Sequence, residues 1–484
     1  MISFYELIES ITMSILSYRG FDRPLVGVSY FWVLVLSITI TLIARKFFNL
    51  PLFATCLIIV IPPLFGVYGG SVGFGVLLSS VIIFSCMFQH SQINKFGISL
   101  PLKFSTKFIN YLFLLLLIIS IHGYFTYSSN LETFFIFRHL VSFFGLFFIA
   151  LSSYMVAYLF STEDAKSFDK IMNGIWILVI ILTLLILIRF AIFSPFFRHP
   201  YGELAVFSEP TFYAVTCFPF FVYKLATSTH HKQLQLLIAL LLMSFIIRST
   251  TLLIATILVY LSLKFRLSKK IFYYLAFVLT IFIIYIANFE FNQITHTPHC
   301  DSCLSDGSAN PFTYMIYRFF DLFGSVSVDT NLSILFYKKE WHEAFYNLIN
   351  TNGLGIGFQQ TGVYGFKSFI TDIIFQKHPN MIIGYESVTV APKLISEFGI
   401  IGIGFLLVYL KYFFKSFTLV RQYFQHGLSK ITHKELLFHI FNLTFFIILF
   451  IRGYGYFSSS IFFLFIFISY FSFIRKTPLG TKIR

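Results

Sequence analysis

The sequence predicts an all-α polytopic membrane protein with about 13 (12 to 14) transmembrane helices and one large external loop that contains short helices. Of the 484 residues, 57% are hydrophobic and only 11% are charged, whereas soluble proteins carry about 25% charged residues. Long apolar runs recur along almost the whole chain, and each can cross a hydrocarbon core of about 30 Å as a helix. Barrel strands are excluded because they are about ten residues of alternating character.

The apolar runs place the predicted spans in order along the chain. Their approximate bounds are 27–44, 49–66, 72–89, 108–126, 134–160, 172–194, 210–226, 234–247, 251–263, 271–288, 396–414, 436–451 and 457–474. The first eighteen residues mix Glu6 and Glu9 with apolar side chains, so an interfacial amphipathic helix and a further span both stay open for them. Because of the two glutamates, this stretch does not predict a cleavable signal peptide.

The distribution of charge predicts the sidedness of the chain. Basic residues cluster in links between apolar runs at 264–270 and 411–434 and in the tail at 475–484, and such clusters are typical of cytoplasmic faces. Residues 289–392 instead contain five Lys or Arg and nine Asp or Glu. We therefore expect a cytoplasmic C-terminus, an external segment 289–392, and a net charge of +15 that serves membrane topology and not nucleic acid.

Residues 234–263 form a predicted hairpin, since basic links flank the pair of apolar runs on both sides. Each arm has about fourteen residues, which is too short for a full crossing. The tip at Arg248 would then lie within the membrane, where a guanidinium needs a polar cavity or a partner. A structural arginine that reaches toward the interface is the alternative for Arg248.

The segment 289–392 divides the chain into three parts. Residues 1–288 hold the first predicted helices with the hairpin, 289–392 form the large external loop, and 393–484 hold the last helices and the tail. The loop contains apolar stretches at 314–323, 331–337 and 341–349, which predict short helices that lie over the membrane. Long loops commonly contain functional residues, so an extracytoplasmic site is expected here.

Cys300 and Cys303 form a Cys-x-x-Cys pair in the external loop, shortly after His296 and His299. A local disulfide suits an oxidising compartment, while zinc binding by the four side chains and free thiols stay open. Cys56, Cys86 and Cys217 lie in apolar runs and are expected to be small core residues.

The link 197–212 contains Arg198, Glu203 and Glu209 on the predicted outer face. Glu209 directly precedes Pro210, so its carboxylate can cap the helix that begins there. Folding alone does not require Arg198 at this position, which makes the link a candidate binding region.

Taken in order, the sequence patterns from 195 to 410 resemble those of the bacterial O-antigen polymerase and ligase superfamily, and of Wzy-type polymerases in particular. The resemblance rests on Arg198 ahead of Gly202 and of Phe-Ser-Glu-Pro-Thr-Phe at 207–212, on the Arg-Ser-Thr tip at 248–250, and on the long external loop. Within and after that loop, Asn352–Gly357 reads Asn-Gly-Leu-Gly-Ile-Gly, and Ile395–Gly402 reads Ile-Ser-Glu-Phe-Gly-Ile-Ile-Gly.

The resemblance implies a membrane glycosyltransferase with a GT-C-like architecture in the bacterial inner membrane. Such an enzyme transfers a growing glycan from undecaprenyl diphosphate to the non-reducing end of a new lipid-linked repeat unit at the periplasmic face, without metal or cofactor. A chain-length regulator protein would be a further partner beside the lipid bilayer. An O-antigen ligase, which uses the lipid A core as acceptor, is the nearest alternative. A polysaccharide flippase is the alternative from another class, although no two-fold repeat is visible.

The resemblance also implies arginines that hold the diphosphate, since a guanidinium matches phosphate oxygens with a planar fork of donors. Arg198 matches the first such arginine, and Arg318 is the only arginine between Arg266 and Arg421. Lys338 and Lys339 stand where related sequences carry another arginine, and Arg248 is a more remote candidate.

The residue that accepts the proton of the acceptor hydroxyl stays open among three candidates. A carboxylate or an imidazole can perform this step, and Glu386, His378 and Glu209 are the candidate bases. Ligases of the superfamily have a His-Asn pair close before the final Glu-x-Gly, whereas His378-Pro379-Asn380 lies nineteen residues before Glu397. This departure favours a polymerase over a ligase.

Overall fold

The structure is a computed structural model, and it is all-helical over the residues that it describes. The described residues are 105–129, 136–192, 210–247, 249–264, 326, 330, 332–361, 365–377, 389–426, 431–452, 455–456 and 458–475. The predicted spans before residue 105 and the predicted span at 271–288 lie outside them, as does most of the first half of the predicted external loop.

Eleven helices are numbered here in chain order over the described residues. They are α1 (Thr106–Ser129), α2 (Ile136–Thr162), α3 (Ala165–Ile192), α4 (Pro210–Thr227), α5 (His230–Ile246), α6 (Thr250–Lys264), α7 (Leu332–Asn350), α8 (Ile370–Lys377), α9 (Val390–His426), α10 (His433–Phe450) and α11 (Ser459–Ser469), which continues as a π-helical turn, Tyr470–Ile474. Each predicted span that falls on described residues coincides with a helix.

Five segments among the described residues are long and apolar enough to cross a membrane: Thr106–Tyr127, Ser142–Ser161, Ala165–Leu184, Val390–His426 and His433–Phe450. The first exposes large apolar side chains such as Phe113 and Phe125, which suits contact with lipid because soluble proteins rarely expose such faces. The length and apolar composition of these helices are typical of a helical membrane protein.

Helix α10 is the centre of the bundle. Of the residues in its apolar segment, 83% are buried, against 22% in that of α1, and it packs against α9, α11, α4 and α3. Aromatic rings fill its contacts: Phe441 stacks on Phe463 of α11 with ring centroids 4.5 Å apart, and Phe220 of α4 meets both rings edge-on. Between helices in a membrane the hydrophobic effect supplies little attraction, so van der Waals contacts matter more. Aromatic pairs of this kind strengthen these contacts.

The predicted hairpin corresponds to α5 and α6, which pack against each other. Its arms have 17 and 15 residues, slightly more than the predicted fourteen, because α5 begins at the basic residues His230 and Lys232. Cys217, in α4, is buried and free, as predicted for a small core residue.

Two elements depart from the predicted boundaries. Helix α9 runs from Val390 to His426 and so includes Lys411, Lys415 and Arg421, which the sequence pattern placed in a link. Lysine and arginine are good helix formers, so the helix continues beyond its apolar stretch. In the predicted external loop, the apolar stretches at 331–337 and 341–349 belong to one helix, α7, which also includes the charged residues between them.

Helix α9 is broken at Gly399, whose φ of 57° and ψ of −127° are not helical. The first part, 390–398, contacts α7, and the second part, 400–426, passes along α10. The break therefore marks the junction between the loop and the bundle.

Candidate functional site

Most of the residues that the sequence singled out as site residues lie outside the described residues. This group comprises Arg198, Glu209, Arg248, Arg318, His378 and Glu386, together with Cys300 and Cys303. Lys338 and Lys339 are described, as are both glycine-containing segments on which the resemblance rests.

Lys338 and Lys339 lie on α7 and are buried. The Lys339 ammonium is 3.2 Å from the Glu343 carboxylate one turn later, and both side chains are almost fully withdrawn from solvent. Lys339 is thus already neutralised within its own helix. A role for it in diphosphate binding would require this ion pair to open.

Helix α7 holds the start of α9 through polar side chains on one face. Thr389 donates from its backbone N–H and its hydroxyl to Glu340 Oε2, each at 2.9 Å, and Asn347 Nδ2 donates to Ser396 Oγ at 2.8 Å. Because later residues of α7 meet later residues of α9, the two helices run in the same direction.

Helix α7 also fixes the chain that leads into α8. Asn347 Oδ1 accepts a hydrogen bond from the Phe366 N–H at 2.7 Å, and His342 Nδ1 lies 2.8 Å from Ser368 Oγ. Burial lowers the pKa of His342, so the imidazole is held neutral in the loop. Helix α7 therefore holds both the start of α9 and the chain that leads into α8.

The segment Asn352–Thr361, called here the glycine segment, runs from the end of α7 across the break in α9. The N–H groups of Ile356 and Gly357 donate to the carbonyls of Ser396 and Glu397 at 3.0 and 2.9 Å, and the Ile400 N–H donates to the Gly353 carbonyl at 2.8 Å. These bonds satisfy backbone groups that the broken helix leaves without helical partners.

Glycine is required at two of these contacts. Gly355 and Gly399 have positive φ angles of 86° and 57°, which side chains strongly disfavour. A Cβ atom at Gly355 would lie 2.5 Å from the Glu397 carbonyl oxygen, and one at Gly399 would collide with the Gly353 carbonyl. The glycines in the two segments thus allow two backbones to touch.

Two histidines of the bundle hold the other side of the glycine segment. His122 Nε2 of α1 lies 2.8 Å from the Leu354 carbonyl oxygen, and His139 Nδ1 of α2 lies 3.3 Å from the Phe358 carbonyl oxygen. Gly123 leaves room for His139, since a Cβ there would lie 2.6 Å from the imidazole. The segment is therefore bound to α1, α2 and α9 at once.

A buried ion pair lies at the centre of this junction. The Lys393 ammonium is 3.9 Å from Glu397 Oε1 one turn later, with side-chain exposures of 1% and 0%. Lys393 donates directly to Gln359 Oε1 at 3.1 Å, and Thr361 donates to Glu397 Oε1 at 2.7 Å. Each member of the pair thus holds one residue of the glycine segment.

Tyr456, in the link between α10 and α11, closes the junction. The Lys393 ammonium lies 5.0 Å from the centroid of its ring, within the range of a cation–π contact. Burial, together with the neighbouring Glu397 carboxylate, raises the pKa of the Tyr456 phenol. Among the described residues, the junction of Gln359, Thr361, Lys393, Glu397 and Tyr456 is the candidate functional site.

Sequence reasoning missed Lys393 and Tyr456. Lys393 follows Pro392 at the end of an apparent loop, which gave no reason to expect burial. One signal was available, because Lys393 and Glu397 are four residues apart at the start of an apolar helix and therefore share a face. Tyr456 follows Gly453 and Gly455, and nothing in that pattern indicates its neighbours in space.

The described part of the chain contains no group of three or more His, Cys, Asp or Glu side chains that could hold a metal ion. The zinc alternative at His296–Cys303 lies outside the described residues. In comparisons with known proteins, no protein-family model matches the chain, and neither a curated protein nor a solved structure matches it significantly.

Proposed function

We propose that the chain is a metal-independent membrane glycosyltransferase that joins undecaprenyl-diphosphate-linked oligosaccharide repeat units into O-antigen or a related surface polysaccharide. The reaction takes place at the periplasmic face of the bacterial inner membrane, with the large loop on that side. The growing glycan moves from its lipid carrier to the non-reducing end of a new lipid-linked repeat unit.

The observation that carries the proposal is the junction between the external loop and the bundle. The glycine segment and the Glu397-Phe398-Gly399 break are separated by some forty residues of sequence, yet they form one hydrogen-bonded unit around a buried ion pair. Both segments belong to the pattern that resembles the polymerase superfamily. Ionisable groups buried beside apolar helices are expensive and commonly mark functional sites.

In the proposed reaction, the acceptor hydroxyl attacks the anomeric carbon of the sugar that is attached to the donor diphosphate. The bond between this carbon and the diphosphate oxygen breaks with inversion, and undecaprenyl diphosphate leaves with the bonding electrons. Arg198 and Arg318 hold the diphosphate and stabilise its developing charge. The hydroxyl proton passes to Glu386, His378 or Glu209.

Lys338, Lys339 and Arg248 have supporting roles in the proposal. Lys339 is paired with Glu343, so it contributes to the electrostatic potential of the loop more than to direct contact with phosphate. Lys338 and Arg248 stay candidates for a direct contact.

A polysaccharide transporter is the second candidate, because a broken helix with buried charge is also typical of transporter binding sites. An O-antigen ligase is the nearest relative of the proposed activity. The three differ in product: a polymerase lengthens lipid-linked glycan, a ligase moves glycan to the lipid A core, and a transporter changes neither.

The test is chain elongation by the purified protein in lipid nanodiscs supplied with lipid-linked repeat units. We expect a ladder of longer lipid-linked glycans that persists in the presence of a chelator. Arg198→Ala and Arg318→Ala should each lower the rate by at least a factor of about 100, since each removes a group that stabilises the leaving charge. Arg421→Ala, on the predicted cytoplasmic end of α9, is the matched control and should retain activity.

Two results would overturn the proposal. The first is glycan transfer to added lipid A core without lengthening of the lipid-linked product, which would indicate a ligase. The second is movement of lipid-linked oligosaccharide across proteoliposomes without any new glycosidic bond, which would indicate a transporter.

A further inference from the structure

One turn of α9 holds the end of the glycine segment through two side chains. Lys393 Nζ donates to Gln359 Oε1 at 3.1 Å, and Glu397 Oε1 accepts from the Thr361 hydroxyl at 2.7 Å. The ion pair and Gln359 are buried, and Thr361 is half-buried, so both bonds are made to groups that are withdrawn from bulk water. The two bonds fix residues 359 and 361 on the same face of the same helix.

Gln359 has an unusual backbone conformation, with a φ of 62°. A residue with a Cβ rarely occupies this left-handed region, and it stays there only where its surroundings determine it. The Lys393 hydrogen bond acts on the side chain of this residue. The backbone at the end of the glycine segment is thus fixed by a specific contact.

Burial of the ion pair has a large cost in desolvation free energy. Two buried charges lose their hydration, and an apolar pair of similar size commonly gives equal or greater stability. The charged pair offers a strong hydrogen-bond acceptor to Thr361 and a strong donor to Gln359. An apolar pair offers neither. Its specific effect is therefore on the position of the loop.

We propose that Lys393 and Glu397 are positioning residues for glycan transfer: by holding Gln359 and Thr361, they set the position of the external loop against the bundle. This inference rests on the proposed function. The loop that they hold contains, by sequence, the candidate diphosphate ligand Arg318 and the candidate base Glu386. Small displacements of such groups slow a reaction strongly even when binding is retained.

The test uses Thr361, because its hydroxyl can be removed without a buried charge being left alone. Thr361→Val keeps the shape of the side chain and removes the bond to Glu397, whereas Thr361→Ser keeps the hydroxyl. Thr418→Val is the matched control, since the Thr418 hydroxyl is exposed and donates within α9 to the Phe414 carbonyl. Amide hydrogen exchange of residues 353–361 and the kcat and KM of elongation are measured for the full chain in nanodiscs.

We expect Thr361→Val to speed exchange of these amides by about tenfold or more and to lower kcat about tenfold, with KM within a factor of two. Thr361→Ser and Thr418→Val should match the original protein in both measurements. Unchanged exchange in Thr361→Val, or an equal loss of kcat in Thr361→Ser, would overturn the inference while leaving the proposed function intact. Absence of elongation by the unmodified protein would overturn the proposed function, and the positioning role with it.

Discussion

Lys393 and Glu397 define the candidate site at the scale of single residues. Each is withdrawn from water, and each would be strongly destabilising without the other because an uncompensated charge would stay buried. Their contribution to stability therefore depends on the pair, whereas their effect on loop position depends on the hydrogen bonds that each makes.

The pair predicts a specific pattern of stability in a double-mutant cycle. Lys393→Met alone or Glu397→Leu alone should each lower the free energy of unfolding by about 3–5 kcal/mol, because one buried charge loses its partner. The double variant should recover most of that loss. Unfolding in detergent measures the effect, and losses that simply add in the double variant would contradict the account.

His342 predicts a dependence of loop stability on pH. Burial lowers its pKa below the ordinary value of 6.5, so the unfolded chain binds more protons than the folded chain as pH falls through that value. Stability contributed by neutral His342 is present above pH 6.5 and is lost on acidification toward the lowered pKa of the folded state.

Thermal melting at pH 7.5 and pH 5 checks this expectation. The loss of stability on acidification should be smaller in His342→Gln than in the original protein. His231→Gln, which replaces an exposed histidine, is the control. An equal dependence in His342→Gln and the original protein would contradict the role of His342.

At the scale of elements, the break in α9 allows the glycine segment to contact the bundle. Gly399 adopts a positive φ, and its Cα lies against the Gly353 carbonyl. Gly404, five residues later in the same helix, has open space around it and no positive φ. Glycine is thus required at position 399, whereas Gly404 can be replaced.

Gly399→Ala should destabilise the junction by about 2 kcal/mol or more, through both strain and collision. Gly404→Ala should be neutral or should stabilise the helix by a few tenths to about 1 kcal/mol. Melting temperatures of the two variants in the same detergent give the comparison. Similar melting temperatures for both variants would show that α9 is not broken at Gly399.

The helices were predictable from the sequence and the junction was not. Apolar runs such as 108–126 and 436–451 fall on α1 and α10 because a spanning helix must satisfy its own backbone and face lipid with apolar side chains. Gly399 lies in a recognised pattern, yet the pattern predicted the start of a span. Its positive φ depends on the Gly353 carbonyl, a contact between distant segments that periodicity cannot encode.

The composition of the junction was not predictable from the sequence, for a related reason. The large external loop was expected to contain the site, and Glu397 was part of the quoted pattern. Lys393, His122 and His139 lie on α9, α1 and α2, and Tyr456 lies in the link after α10, so only the packing of these separate segments brings them together. A sequence pattern reports neighbours along a helix face and does not report neighbours across a bundle.

At the scale of the whole molecule, the charge distribution predicts which side of the membrane each end of α9 faces. The junction lies at the N-terminal end, next to the acidic loop, and Lys411, Lys415 and Arg421 lie toward the C-terminal end. Positive residues are retained on the cytoplasmic side. The loop and the end of α9 should therefore be accessible from opposite sides.

Single cysteines at two exposed positions test this arrangement, after replacement of the five native cysteines by alanine. Lys367→Cys in the loop should react with a membrane-impermeant maleimide applied to spheroplasts, which expose the outer face of the inner membrane. Gln422→Cys near the end of α9 should react only after permeabilisation. Labelling of both from one side would contradict the proposed orientation.

A structure of the chain in nanodiscs with a bound undecaprenyl-diphosphate oligosaccharide tests the central claim most directly. The account predicts the diphosphate on the loop side of the membrane, with the guanidinium groups of both Arg198 and Arg318 within about 3 Å of its oxygens. A diphosphate bound elsewhere, or two arginines too far apart to share it, would contradict the account.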